Sequence, residues 1–192
     1  MEEREKHPKG FRYIFWGELA ERGSFYGVVV LITAYLMSQL HFTQGKTGVV
    51  VHGFKALAYI LPILGGYIAD RWLGKFKTVI YFSIPYIIGH LVLGGFQTEG
   101  ALYLALLLLA AGSGTIKPNV GPLMGLMYDN ENKSPELRQR AFSYFYAAIN
   151  IGAVASMTTL PSIRTKYGYG PAFMVPAALM VAAMIIFYLG KP

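Results

Sequence analysis

The chain has 192 residues, of which 54% are hydrophobic and only 14% charged, and it carries a formal net charge of +7. This composition excludes an average soluble domain, and the apolar residues come in blocks. The lack of cysteine excludes disulfides and thiolate metal sites.

A positive balance in a soluble domain would suggest nucleic acid. Here the cations sit in short loops between apolar blocks, so no nucleic-acid partner is expected and the partner solvent is the lipid bilayer. Crossing a hydrocarbon core of about 30 Å takes about 20 mostly apolar residues. Six segments qualify, at 11–40, 47–69, 77–97, 101–127, 137–160 and 170–190, each closed by charge, Gly/Pro or polar clusters. The expected fold is an all-α membrane protein, a bundle of six transmembrane helices. Met1 to Gly10 are charged and polar, with no short apolar stretch and cleavage site after them, so no removable leader is expected.

The loops also set an orientation. With the N-terminus in the cytoplasm, that side holds Arg4, Lys6, Lys9, Arg12, Arg71, Lys75, Lys77, Lys133, Arg138, Arg140 and Lys191. The other side holds only Lys46, Arg164 and Lys166. This positive-inside bias predicts a multi-pass cell-membrane protein with both termini cytoplasmic. The three remaining cations, Arg22, Lys55 and Lys117, fall inside predicted spans.

Ionisable residues inside a span usually face the bundle interior or a water-filled cavity and are paired. In the first span, Glu18, Glu21, Arg22, Phe25 and Tyr26 form a stripe at helical spacing. The competing reading is that these charges snorkel to the cytoplasmic interface beside Arg12. In the second span, "TGVVVHGFKALAYILPILGGYIAD", His52, Lys55 and Tyr59 share one edge. Alone, His52 is more often a packing residue than a proton site; with Lys55 and Tyr59 it gains weight.

The fourth span carries "AAGSGTIKPNVGPLMG", whose Gly112, Gly114, Pro118, Gly121 and Pro122 loosen the helix and permit close approach. Lys117 sits there, either reaching an interface from a packing seam or, with Asn119 and two prolines beside it, lining a cavity. In the fifth span, "FSYFYAAINIGA" places Tyr146 and Asn150 one turn apart, which suits an interhelical hydrogen bond as well as ligand contact.

With these residues in view, "ELAERGSFYG" resembles the E-x-x-E-R-F-x-Y-Y motif of the proton-dependent oligopeptide transporter family of the major facilitator superfamily. "GGYIADRWLGKFKT" is similar to the superfamily signature between the second and third spans, "GSGTIKPN" to the family's fourth-span lysine motif, and "FYAAINIGA" to its fifth-span F-Y-x-x-I-N-x-G motif. His52 to Thr78 resembles the corresponding part of mammalian peptide transporters, including the histidine.

The resemblance implies roles. Glu18, Glu21 and Arg22 match residues linked to proton coupling, and Lys117 matches the lysine that pairs with them. Tyr26, Tyr59 and Asn150 match residues lining the peptide site, and His52 a histidine important in mammalian members. Asp70, Arg71, Lys75 and Lys77 match the cytoplasmic gating loop. The chain departs from the pattern at Gly23, where the motif has Phe, and at Phe25, where it has Tyr. Val29 stands where many relatives carry a basic residue for the substrate carboxylate; Lys55 adds a cation that could replace it.

Facilitator transporters are built from two six-span halves, and 1–192 resembles the N-terminal one, so a C-terminal six-helix half is an expected partner. The expected function is a symporter of protons and small peptides (di- and tripeptides), with nitrate, a drug-like anion or a non-transporting sensor as alternatives. No HExxH-type or serine-elbow arrangement is present, so no enzyme, metal or cofactor is expected.

Overall fold

Long apolar runs with no water to bond the backbone leave helix as the available structure. The computed structural model describes residues 5–191; Arg4, one of the loop cations, lies outside them. The helices are α1 (Phe11–Ser38), α2 (Gln44–Ile68), α3 (Lys75–Gly95), α4 (Glu99–Asn130), α5 (Pro135–Tyr167) and α6 (Tyr169–Leu189). A π-helical turn, Ala69–Leu73, extends α2 toward α3. Thr43, Thr98 and Ser134 start α2, α4 and α5 by accepting a hydrogen bond from the backbone three residues on. Gly74 and Gly168 reverse the chain at φ +75° and +86°, conformations that a side chain disfavours.

Successive helices run antiparallel. At one end Glu5 accepts hydrogen bonds from the backbone and hydroxyl of Ser134, which hold its carboxyl below the usual range, and His7 meets Tyr128 Oη at 2.6 Å. At the other, Lys46 pairs with Glu99 at 2.7 Å and Gln39 donates to Gln97.

Among the described residues five helices are long and apolar enough to cross a membrane, and α5 is not one of them. The six-helix bundle is the expected one, and α5 differs from the other five only in being less apolar along its length. Its 33 residues extend about 50 Å at 1.5 Å each, so length is ample, but charge at both ends and the polar Asn150, Ser156, Thr158 and Thr159 lower its hydropathy. The threonine hydroxyls donate to carbonyls of their own helix, Thr158 to Val154 and Thr159 to Ala155, and so need no other partner. The helix also runs on through Pro161, where the sequence reading closes the span.

α1 packs on α5 and α6, α3 on α4 and α6, and α2 on α4. Glycines set the closest approaches. A Cβ at Gly152 would collide with the Leu19 carbonyl oxygen and stand 3.0 Å from the Gly23 nitrogen; one at Gly65 would stand 2.5 Å from Thr115 Cα. Asn119 belongs to the α2–α4 seam rather than to a cavity wall: it is fully buried and donates to Thr115 O at 2.7 Å and Gly65 O at 3.2 Å. The Gly152 contact is backbone against backbone and has no side chain to yield. Gly152→Ala is therefore expected to destabilise by about 1–3 kcal/mol, the range for overpacking, and to lower the melting temperature in detergent by several degrees. Gly121→Ala, whose Cβ meets nothing within 4 Å, should leave that temperature unchanged.

Candidate functional site

Glu18, Glu21 and Arg22 are 3%, 0% and 4% exposed, which excludes the snorkelling reading. Helical spacing puts all three on one flank of α1, where Glu18 and Arg22 border the space shared with Lys117 of α4. Arg22 Nε lies 3.3 Å from Glu18 Oε1 and hydrogen-bonds Glu21 Oε2. Glu21 Oε1 and Arg22 Nη2 are buried without a partner. Two carboxylates face one guanidinium, so with both acids ionised the cluster carries one uncompensated negative charge.

Two cavities meet at Arg22. The smaller, about 230 Å³, is walled by Arg22, Tyr26, Val29, Lys55, Tyr59 and Lys117. The larger, about 690 Å³, is walled by Glu18, Arg22, Tyr26, Lys117, Tyr146 and Asn150. Arg22, Tyr26 and Lys117 therefore belong to both. Asn150 donates its amide to Tyr146 O at 2.9 Å, one turn back, rather than across an interface.

Lys117 does not pair with either acid. Its Nζ stands 5.0 Å from the centre of the Tyr59 ring, a cation–π distance, and it makes no ion pair among the described residues. The reason is local: Arg22, one residue from Glu21 and one turn from Glu18, already takes both carboxylates. Lys117 instead shares the larger cavity with Glu18.

Lys55 and Val29 line the same cavity, so the added cation and the missing one fall together. His52 does not join them: it is exposed on α2 and borders neither cavity. Asp70 lies in the π-helical turn and pairs with Lys75 at 2.7 Å, while Arg71 and Lys77 are exposed beside it. Among the described residues no cluster of His, Asp or Glu could hold a metal.

The sequence reading missed Ser113 and Arg138. Ser113 is buried with an unpartnered hydroxyl in the wall of the smaller cavity. It lies four residues before Lys117, and that spacing was the available signal. Arg138 borders the larger cavity and pairs with Asp129 at 2.8 Å. Nothing in the loop sequence distinguishes it from its neighbour Arg140.

The family model described as PTR2, POT family, matches residues 76–192. Solute carrier family 15 member 2 of Danio rerio is 40% identical over 200 residues, covering 96% of this chain and 28% of that protein. Peptide transporter family 1 of Drosophila melanogaster is 37% identical over 199 residues, covering 96% and 27%. The crystal structure of the POT family transporter PepTSo superposes with a TM-score of 0.90 at 37% identity, covering 97% of this chain and 38% of that one. The chain thus spans a little over a quarter of the length of the two curated relatives and 38% of the PepTSo chain, and its fold is one six-helix half of a major facilitator transporter.

The charge cluster makes a prediction about stability. Arg22→Leu leaves two buried carboxylates without their cation, and removing one partner of a buried pair costs about 3–5 kcal/mol. Lys117→Ala removes an exposed, unpaired cation and should change stability by less than about 0.5 kcal/mol. Thermal unfolding of the two variants in detergent, side by side, checks the contrast.

Proposed function

The chain belongs to the POT family, and on that premise we propose that it forms the N-terminal half of a proton-coupled symporter that imports di- and tripeptides by alternating access. The observation that carries this reading is Arg22, which bridges two buried acids and at the same time forms part of both cavity walls. The relatives' names, solute carrier and peptide transporter, agree with it.

The uncompensated charge is the switch. A net negative charge in a low-dielectric wall is costly, and two events relieve it. One of the acids takes up a proton, or Lys117 leaves the Tyr59 ring and crosses the shared cavity toward Glu18. A substrate carboxylate drawn to Arg22 or Lys117 competes for the same cations. Proton uptake and substrate binding are thus coupled through one cluster, and the two arrangements favour different helix packings.

Tyr26, Tyr59 and Asn150 hold the peptide from the cavity walls, and a second six-helix half completes the site. His52 takes part from the exposed face of α2 that this second half covers. Both termini are cytoplasmic, and the Asp70–Lys75 pair with Arg71 and Lys77 gates that side. No enzymatic step is involved.

Uptake by the full-length transporter in proteoliposomes should require an inward proton gradient, and uptake indifferent to a protonophore would rule out the coupling. Glu21→Gln and Lys117→Ala should each abolish gradient-driven accumulation while counterflow exchange survives. A Lys117→Ala transporter that accumulates substrate normally would reduce the lysine to a bystander.

Lys55 is assigned to the substrate's C-terminal carboxylate, in place of the cation that Val29 cannot supply. A hydrogen bond to a charged group is worth about 1.5–3 kcal/mol. Lys55→Ala should therefore weaken binding of free-acid dipeptides about tenfold to a hundredfold and barely change C-terminally amidated ones. Equal losses for acid and amide would dismiss the assignment.

A further inference from the structure

One turn beyond Glu21, α1 carries Ser24, fully buried where α1 meets α3 and α6. Its hydroxyl donates to the carbonyl oxygen of Pro176 on α6 at 2.8 Å, and lies 2.7 Å from Nε2 of His90 on α3. A serine hydroxyl has one proton. Once that proton is given to Pro176, the short contact with His90 requires the ring to be the donor, so Nε2 carries hydrogen.

His90 is itself fully buried, and its Nδ1 has no partner. Its ring stacks on Tyr86, one turn earlier on α3, with centroids 4.9 Å apart and planes 25° from parallel. The ring is thus clamped on its face by Tyr86 and directed at its edge toward Ser24. The result is a directional chain, α3 to α1 to α6, that begins at His90 and ends on the Pro176 carbonyl.

We propose that His90 is a positioning residue of the coupling site, acting through Ser24 to pin α1 to α3 and α6 beside the Glu21–Arg22 pair. This rests on the proton-coupled function proposed above. When the pair breaks on protonation, a free α1 would absorb the change as a local shift of one helix. An α1 tied on two sides passes it to the bundle as a whole. Exchange of substrate for substrate needs no net change in the protonation of Glu21, so it does not depend on the tie; accumulation against a gradient does.

The experiment compares Ser24→Ala, His90→Phe and His90→Gln in the full-length transporter, reading gradient-driven accumulation and counterflow exchange from the same proteoliposomes. His90→Phe keeps the stacking on Tyr86 and removes the donor; His90→Gln keeps a donor. Ser24→Ala and His90→Phe are expected to lower accumulation about tenfold and to leave exchange within about twofold. The double variant should be no worse than either single one, and His90→Gln should retain both activities.

Should His90→Phe fail to fold, Ser24→Ala, which removes one oxygen, carries the test. Unchanged accumulation in Ser24→Ala would overturn the inference. So would equal loss of exchange and accumulation with no rescue by glutamine, the signature of a packing role. Native protein that exchanges substrate but never accumulates it would overturn the function proposed above and this inference with it.

Discussion

One guanidinium holding two carboxylates out of water is the interaction on which the rest of the bundle depends. Each of these ions, left alone in a dry interior, costs several kcal/mol, so α1 has to be enclosed. The enclosure is written into α1 itself. Gly17, Gly23 and Gly27 recur about every helical turn or two, and they admit Phe187, then Ser156 with the Gly152 backbone, then Leu160 with Pro176. Those contacts seat α5 and α6 against the flank of α1 that lies roughly opposite the charges, and leave Glu18, Glu21 and Arg22 on the flank toward Lys117 of α4. They also account for the glycine where the family motif has phenylalanine: at Gly23 even a Cβ would stand 3.2 Å from Ser156 Oγ.

The same logic places the free cation. α4 is fixed on its buried side by Gly112 against Tyr86, Gly114 against Leu61 and Thr115 against Gly65, so its rotation is set to within a residue. Ile116 is then fully buried and Lys117, about 100° further round the helix, comes onto the flank that stays open. There it borders two cavities and stands over the Tyr59 ring. Packing on one side of α4 thus produces an uncommitted charge on the open flank.

The helices and the charged stripe of α1 were legible because both follow from what a bilayer forbids: bare backbone and lone charge. What the sequence could not supply was the identity of each helix face's neighbour. His52 stood out because Lys55 and Tyr59 share its edge, yet that edge is open and His52 is exposed. His90, which no spacing singled out, is buried because α1 and α6 both reach it through Ser24. Asn119 and its prolines pointed to a cavity lining at Lys117, which does border both cavities, while Asn119 itself bonds Gly65 in the α2–α4 seam. Lys117 read as the partner of the acids, but Arg22 was closer along the same helix. In each case periodicity gave the face and only the fold gave the neighbour.

Those faces carry one more argument. On the outward sides of α3 and α6 the large exposed residues include Ile84, Ile88, Leu91, Val181 and Ile185, all of which suit hydrocarbon. On α2, α4 and α5 the exposed positions include His52, Lys55, Lys117 and Asn150. A lysine turned toward acyl chains at mid-span is expensive, whereas one turned toward water, a ligand or another polar surface is not. The bundle is therefore two-sided in the membrane plane. Its α3–α6 side exposes apolar side chains suited to lipid, and its α2–α5 side mixes exposed apolar side chains such as Ile63 and Val154 with the polar and charged ones. The solved transporters of this fold are more than twice this chain's length, and under the function proposed above it is this mixed face, with its mid-span lysines, that the second six-helix bundle covers.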